Sequence, residues 1–242
     1  MATNKEKKMM TEKQNPINKA NGTNGTNGTN RQKADYVALK QELTAICSIL
    51  KGNVKCTSLP EVLQEVGKMA FRDDVSGLAN RTYFKYRLDY YIKAARISRD
   101  SLVLILFDLD DFKHINDTLG HAGGDSVIEQ VSEILGEKVR SVQNLIKQKD
   151  VYARYGGDEF AIILPGSTVH LATKVAERFQ TSIRNHPFVH KNQIIKREIT
   201  ASFAIASFHG ELESAEDLIE RADKLLLQAK AGGKNRIKVQ EA

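Results

Sequence analysis

The sequence predicts an α+β domain, with helices packed on a mostly antiparallel sheet, preceded by a helical segment and a polar tail. Three observations predict it. Helix-like and strand-like stretches alternate from residue 71 onward. Residues 151–164 read as two strands around Gly156-Gly157, a hairpin signal. Ser214 and Asp217 make an approximate capping box for a helix running to Lys230.

Taken in order, residues 1–33 are polar, with an NGTNGTNGTN run at 21–30. They hold nothing that could form a core and are expected to be a disordered tail. The run contains sequons at Asn21, Asn24 and Asn27, but no secretory signal is visible, so no glycosylation is expected. Residues 34–70 have a helical pattern. Tyr36, Leu39, Leu43, Ile46 and Leu50 are spaced by three and four, and Gly52 ends the run. Leu59, Val62, Val66 and Met69 repeat the spacing, with Pro60 suited to a first helical turn. Each seam is about two heptads long, which fits two helices packed within one chain as well as a dimerisation segment.

Within 71–242, Ala79–Ile97 reads as a helix, Leu102–Phe107 as a buried strand and Asp125–Val142 as a helix. After the hairpin come a helix over Leu171–Asn185 and a strand over Ile199–Phe208. The capped helix ends with Gly232 as its C′ residue, and a short strand, Arg236–Val239, closes the chain.

A chain of 242 residues suits one catalytic domain with an appendage, or two small domains, and 41% hydrophobic content is ordinary for a soluble protein. The longest apolar run, Leu102–Phe107, is too short to span a bilayer, and no apolar leader is visible, so a cytoplasmic location with no membrane segment is expected. The net charge of +6 sits almost wholly in residues 1–33, which carry seven Lys or Arg against two Glu. A basic tail is not a nucleic-acid groove, and nucleic acid is not an expected partner. Cys47 and Cys56 lack nearby His or CxxC spacing, so they predict reduced, buried thiols rather than a zinc site.

The chemistry lies in two acidic runs. The apolar strand 102–107 ends in Asp108, Leu109, Asp110 and Asp111, and alternation sends Asp108 and Asp110 to one face. Carboxylates crowded at a buried strand end repel one another unless a cation or basic partner is present, and magnesium prefers such oxygen ligands. A solvated acidic turn that opens the next helix is the competing reading. The hairpin supplies a second pair, Asp158 and Glu159, just after a turn without side chains where a phosphate can approach. That two-acid turn, flanked by apolar strands in a domain with an acidic strand end, favours a metal-dependent site.

Arg154-Tyr-Gly-Gly-Asp-Glu-Phe160 resembles the signature of the GGDEF family, the diguanylate cyclases. Asp73–Arg81 (DDVSGLANR) is similar to the family's opening DxLTGLxNR, and Phe107–Asp125 (FDLDDFKHINDTLGHAGGD) to its FDxDxFKxINDxxGHxxGD. Ala222-Asp223 and Ala229-Lys230 resemble its closing AD…AK segment, so the resemblance covers residues 71–242.

The resemblance implies a palm-like fold of the ferredoxin-like, nucleotidyl-cyclase kind and condensation of two GTP into cyclic di-GMP with release of two pyrophosphates. It implies magnesium or manganese as cofactor, two ions per site, held by the Asp108 and Asp158 carboxylates and the Leu109 carbonyl. Asp158 and Glu159 would be the catalytic acids, with Glu159 assisting metal binding or 3′-hydroxyl deprotonation. Asn116 and Asp125 match the guanine-reading pair; a carboxylate accepts from guanine N1 and N2, donors that adenine lacks there. Lys113, Lys230 and Lys234 would contact phosphates, and Gly156 and Gly157 would admit them. Each domain would hold one GTP, so a homodimer is required, which favours dimerisation for residues 34–70. Downstream cyclic di-GMP receptors are the implied partners.

The chain departs from the family pattern in three places. The RxxD inhibitory site is Lys147-Gln-Lys-Asp150, and Lys lacks the planar fork of Arg, so weak product inhibition is expected there. Lys234 replaces Arg in the closing GRN, which predicts weaker triphosphate contact. Ala204 stands for Gly in TxSxGxA and reads as a packing variation. The rival reading is a degenerate domain that only binds nucleotide; such receptors lose the acids and keep RxxD, the reverse of this chain.

Overall fold

β1, the apolar run before the acids, is buried along its entire length because it lies at the centre of a sheet covered on both faces. The computed structural model describes residues 70–141, 150–210 and 212–240, within the folded unit Gly67–Ala242. The tail at 1–33, the helical segment at 34–70 except Ala70, and Lys147 lie outside the described residues, as do Cys47 and Cys56.

In chain order the elements are α1 (Arg81–Ser98), β1 (Leu102–Leu109), α2 (Phe112–Leu119), α3 (His121–Ser141), β2 (Val151–Arg154) and β3 (Glu159–Pro165). They continue with α4 (Val169–Asn185), β4 (Val189–His190), β5 (Gln193–Ile194), β6 (Ala201–Ser207), α5 (Ala215–Ala231) and β7 (Ile237–Val239). The main sheet runs β2-β3-β1-β6-β7, and β4 and β5 pair apart from it. β1 pairs antiparallel with β3 and β6, as β2 does with β3; β7 lies parallel to β6, with α5 between them in the chain. The sheet is therefore mixed but mostly antiparallel, the α+β class the sequence predicts.

Alternation along β1 divides the core. Leu102, Leu104 and Leu106 pack with Phe84 and Leu88 of α1 and Leu218 and Ala222 of α5. Val103, Ile105, Phe107 and Leu109 pack on the other face with Ile115 of α2, Val131 of α3 and Phe179 of α4. Phe107 is paired in register with Phe160 on β3 and Phe203 on β6. The rings stack at 4.9 and 4.7 Å between centroids, and all three are fully buried. Such aromatic pairs contribute about 0.5–1.5 kcal/mol each beyond their burial. This ladder fixes β1 one residue before Asp108.

Helix starts follow their capping residues: Asn80 accepts from the Tyr83 N–H, Thr168 from that of Leu171, and Ser214 with Asp217 forms a complete capping box. Three expectations need correction. The helix expected from Asp125 begins at His121, and a separate helix, α2, precedes it across Gly120 at φ 73°. Gly123 and Gly124 hid this start, since glycine is a poor helix former. They are there because α2 lies close: a Cβ on Gly124 would stand 1.9 Å from Asn116 Oδ1. Gly232, expected at C′, is instead the C-cap, right-handed at φ −73°, and the positive φ comes one residue later at Gly233, φ 115°. The β4–β5 hairpin was not visible in the sequence. Its two-residue turn uses Lys191 and Asn192 at φ 49° and 61° instead of an Asn-Gly pair.

Candidate active site

The end of β1 places Asp108 directly opposite Glu159 of β3 in the antiparallel register. Like charges so placed repel. The Asp108 side chain is only 6% exposed, and its Oδ2 lies 2.7 Å from Lys230 Nζ on α5. Burial pushes the Asp108 carboxyl up to about 6 despite the Lys230 hydrogen bond, and the charges of Asp158 and Glu159 push the same way. Among the described residues, three carboxylates therefore act on a position where Lys230 supplies the ion-paired ammonium.

The glycine turn differs from the two-residue hairpin expected. The N–H groups of Tyr155 and Gly156 both donate to the Glu159 carbonyl, at 2.7 and 3.1 Å, so the loop is wider. Neither Gly156 nor Gly157 has positive φ. Their use is spatial: a Cβ on Gly156 would stand 2.3 Å from Glu159 Oε2, whereas one on Gly157 would meet nothing within 4 Å. The turn is held from outside by Arg154, whose Nε and Nη2 donate to the Gly157 carbonyl at 3.0 and 2.7 Å. Arg154 Nη1 also donates to Asp73 at 3.0 Å. Burial opposes the charge on Asp73, yet hydrogen bonds from Ser76 and Arg154 offset this and hold its carboxyl below the usual range.

The other two strand-end acids have different tasks. Asp110 is buried and accepts from Thr200 Oγ1 and Ser202 Oγ, each at 2.7 Å, and from the Asn235 N–H at 2.9 Å. It ties together β1, β6 and the loop before β7. Asp111, left-handed at φ 57°, precedes α2 and is bound by Lys234 and by Arg197, the latter at 3.1 Å. The Lys234 hydrogen bond, against slight burial, holds the Asp111 carboxyl below the usual range.

Asp108, Asp158, Glu159, Gly156, Gly157 and Lys230 thus share the β1–β3 end of the sheet. Lys113, exposed on the first turn of α2, and Lys234 lie beside Asp111. Half-buried Asn116 faces Gly124, and Asp125 follows that glycine on α3, exposed. Leu109 has its side chain in the core. Asp150 does not join these residues: it precedes β2, whose opposite end leads into the turn. Beside it, burial raises the Tyr152 hydroxyl above its ordinary range, and the Asp150 charge adds to this.

The family model described as "Diguanylate cyclase, GGDEF domain" matches residues 70–236. The chain belongs to the GGDEF family. Its 170-residue match to Response regulator PleD of Caulobacter vibrioides is 35% identical and covers 70% of this chain and 36% of that protein. The match to Diguanylate cyclase A of Treponema denticola is 36% identical over 61% of this chain and 38% of the relative. The chain thus spans little more than a third of either. Among solved structures, the GGDEF domain of DgcB from Caulobacter crescentus, in complex with c-di-GMP, superposes with a TM-score of 0.65 at 31% identity, covering 72% of this chain and 94% of that one.

Among the described residues of this GGDEF domain, no group of three or more His, Cys, Asp or Glu stands arranged to hold a metal. The donor chemistry at the β1 end nevertheless suits a hard divalent ion: neighbouring carboxylates, one with its proton affinity raised by burial and, secondarily, by the charges of Asp158 and Glu159. No helix of the described residues is long and apolar enough to cross a membrane. Sequence reasoning missed Asp73 and Arg154 as the clamp on the GGDEF turn, Asp110 as an anchor, and Arg197 on Asp111. Asp73 and Arg154 both lie in family motifs, but they are far apart in the chain and nothing in one motif names its partner in the other.

Proposed function

We propose that this GGDEF domain is a diguanylate cyclase, condensing two GTP into cyclic di-GMP and two pyrophosphates. The observation that carries the reading is the buried Asp108 carboxylate, with Glu159 opposite it, Asp158 nearby and, among the described residues, Lys230 as its ion-pair partner. In this reading the Asp108 and Asp158 carboxylates and the Leu109 carbonyl hold magnesium or manganese, two ions per site. When bound, the ions neutralise the triphosphate and favour the 3′-alkoxide.

The chain's own residues then have defined tasks. Lys230 leaves Asp108 for the phosphates, and Lys113 and Lys234 contact them from the start of α2 and the loop before β7. Gly156 and Gly157 keep the approach open. Asn116 and Asp125 select guanine, Asp125 by accepting from N1 and N2. The 3′-oxygen of one GTP bonds to the α-phosphorus of the other as the bond to pyrophosphate breaks. The hydroxyl proton passes to a site carboxylate, with Glu159 the candidate acceptor. Because each domain holds one GTP, two copies face each other as a homodimer and repeat the step to close the ring. The product would act on cyclic di-GMP receptors in the cytoplasm, and Lys147-Gln-Lys-Asp150 would restrain the enzyme weakly.

The similarity to relatives named diguanylate cyclase and to a domain solved with c-di-GMP supports the reading. Purified full chain given magnesium with GTP or ATP tests it: cyclic di-GMP, identified by mass, is expected from GTP alone. A cyclic product from ATP at a similar rate would contradict the guanine-reading roles of Asn116 and Asp125.

A further inference from the structure

A cavity of about 520 Å³ opens between α2 and the β4–β5 hairpin, in the range usual for small-ligand sites. None of the described residues lining it is acidic, while Lys191, Lys196, Arg197, His114 and His190 are among them. Arg197 is taken up by Asp111 at 3.1 Å, which leaves the two lysines as the standing positive charge. Ile115, Leu119 and Ile194 supply apolar wall, and Ile194 is 66% exposed although strongly hydrophobic.

The hairpin side of the cavity is fixed in place. Gln130 of α3 accepts from the Val189 N–H at 2.9 Å and donates to the Val189 carbonyl at 2.8 Å, docking β4 as a neighbouring strand would. The left-handed turn at Lys191 and Asn192 then sets where Lys191 leaves the backbone. His190 is oriented as well. Ser126 Oγ donates to the Ala122 carbonyl at 3.0 Å, so its 3.1 Å contact with His190 Nδ1 has the ring as donor.

We infer that this cavity is a second nucleotide site, separate from the GGDEF turn, which takes a mononucleotide with little regard for its base. Two features specify that chemistry: apolar wall for a base and two lysines for a phosphate. Among the described residues the lining has no carboxylate to receive guanine N1 and N2 donors, and the Gln193 amide, which both donates and accepts, serves an adenine or a guanine edge alike.

Titration of the full chain with adenosine 5′-monophosphate, without divalent metal and followed by calorimetry, tests this. Saturable binding is expected, matched within about threefold by guanosine 5′-monophosphate when both nucleotides are titrated into the Asn116→Ala, Asp125→Ala chain, and weakened roughly tenfold or more by Lys191→Glu with Lys196→Glu. Asn116→Ala with Asp125→Ala should leave it intact. The inference fails if no saturable binding is found, if the lysine variant binds as the parent does, or if the Asn116 and Asp125 changes abolish binding. None of these readouts depends on cyclase activity, so the two proposals stand or fall separately.

Discussion

A carboxylate buried beside two others is costly to ionise, and Asp108 is kept in that position by the phenylalanine ladder one residue away. Under the proposed function, substrate and metal would complete a charge balance that Lys230 alone begins. The neighbouring glycines divide the work, one making room for Glu159 and the other facing open space. Gly157→Ala should therefore fold normally, with a melting temperature within a few degrees of the parent, yet cyclize GTP at least about tenfold more slowly through lost phosphate approach. Parent-like turnover would show that nothing approaches that turn. Asp73 offers a pH test. Its carboxyl is held below the ordinary value, so its stabilisation is present above the unfolded pKa near 3.8 and is lost as pH falls through the lower folded value. Thermal unfolding should show Asp73→Asn less stable than the parent at pH 7, with the gap closing below about pH 4; a gap that persists at pH 3 would remove the Arg154–Asp73 pair from the account.

At the scale of elements, α2 and α3 meet where glycine permits it. A Cβ on Gly124 would stand 1.9 Å from Asn116 Oδ1 and 3.0 Å from the Phe112 ring, so Gly124→Ala must push the helices apart or turn Asn116 away. A loss of about 1–3 kcal/mol is expected, read as a lower melting temperature, with poorer discrimination of GTP from ATP; an unshifted melting curve would mean that the helices do not pack this closely. The same glycines explain what was hard to read. β1 was plain because an apolar run ending in acids has few other structures, and the Ser214–Asp217 box marked α5 directly. α2 was missed because its eight residues are flanked by Asp111 and Gly120, both at positive φ, and the glycines of α3 follow at once. Asp108, Asp158 and Glu159 were legible because local patterns carry them. The Arg154 clamp and the Asp110 anchor were not, since both join segments distant in sequence.

For the whole molecule, the proposal makes one chain half of an enzyme. Cyclase activity per milligram should rise with protein concentration until the dimer is saturated, as measured by initial rates over a dilution series; a flat profile at concentrations where sedimentation shows monomer would rule out the facing-copies mechanism. The described residues hold the acids and the α2–α3 pair in a single copy, so the proposed chemistry and assembly can be tested apart. The most direct measurement is the stoichiometry of pyrophosphate and nucleotide product from GTP and magnesium, for the parent chain and for Asp158→Ala with Glu159→Ala. The account predicts one pyrophosphate for each GTP consumed and a product with the mass of cyclic di-GMP, both absent from the folded double variant; GTP bound by the folded parent without either product would contradict it.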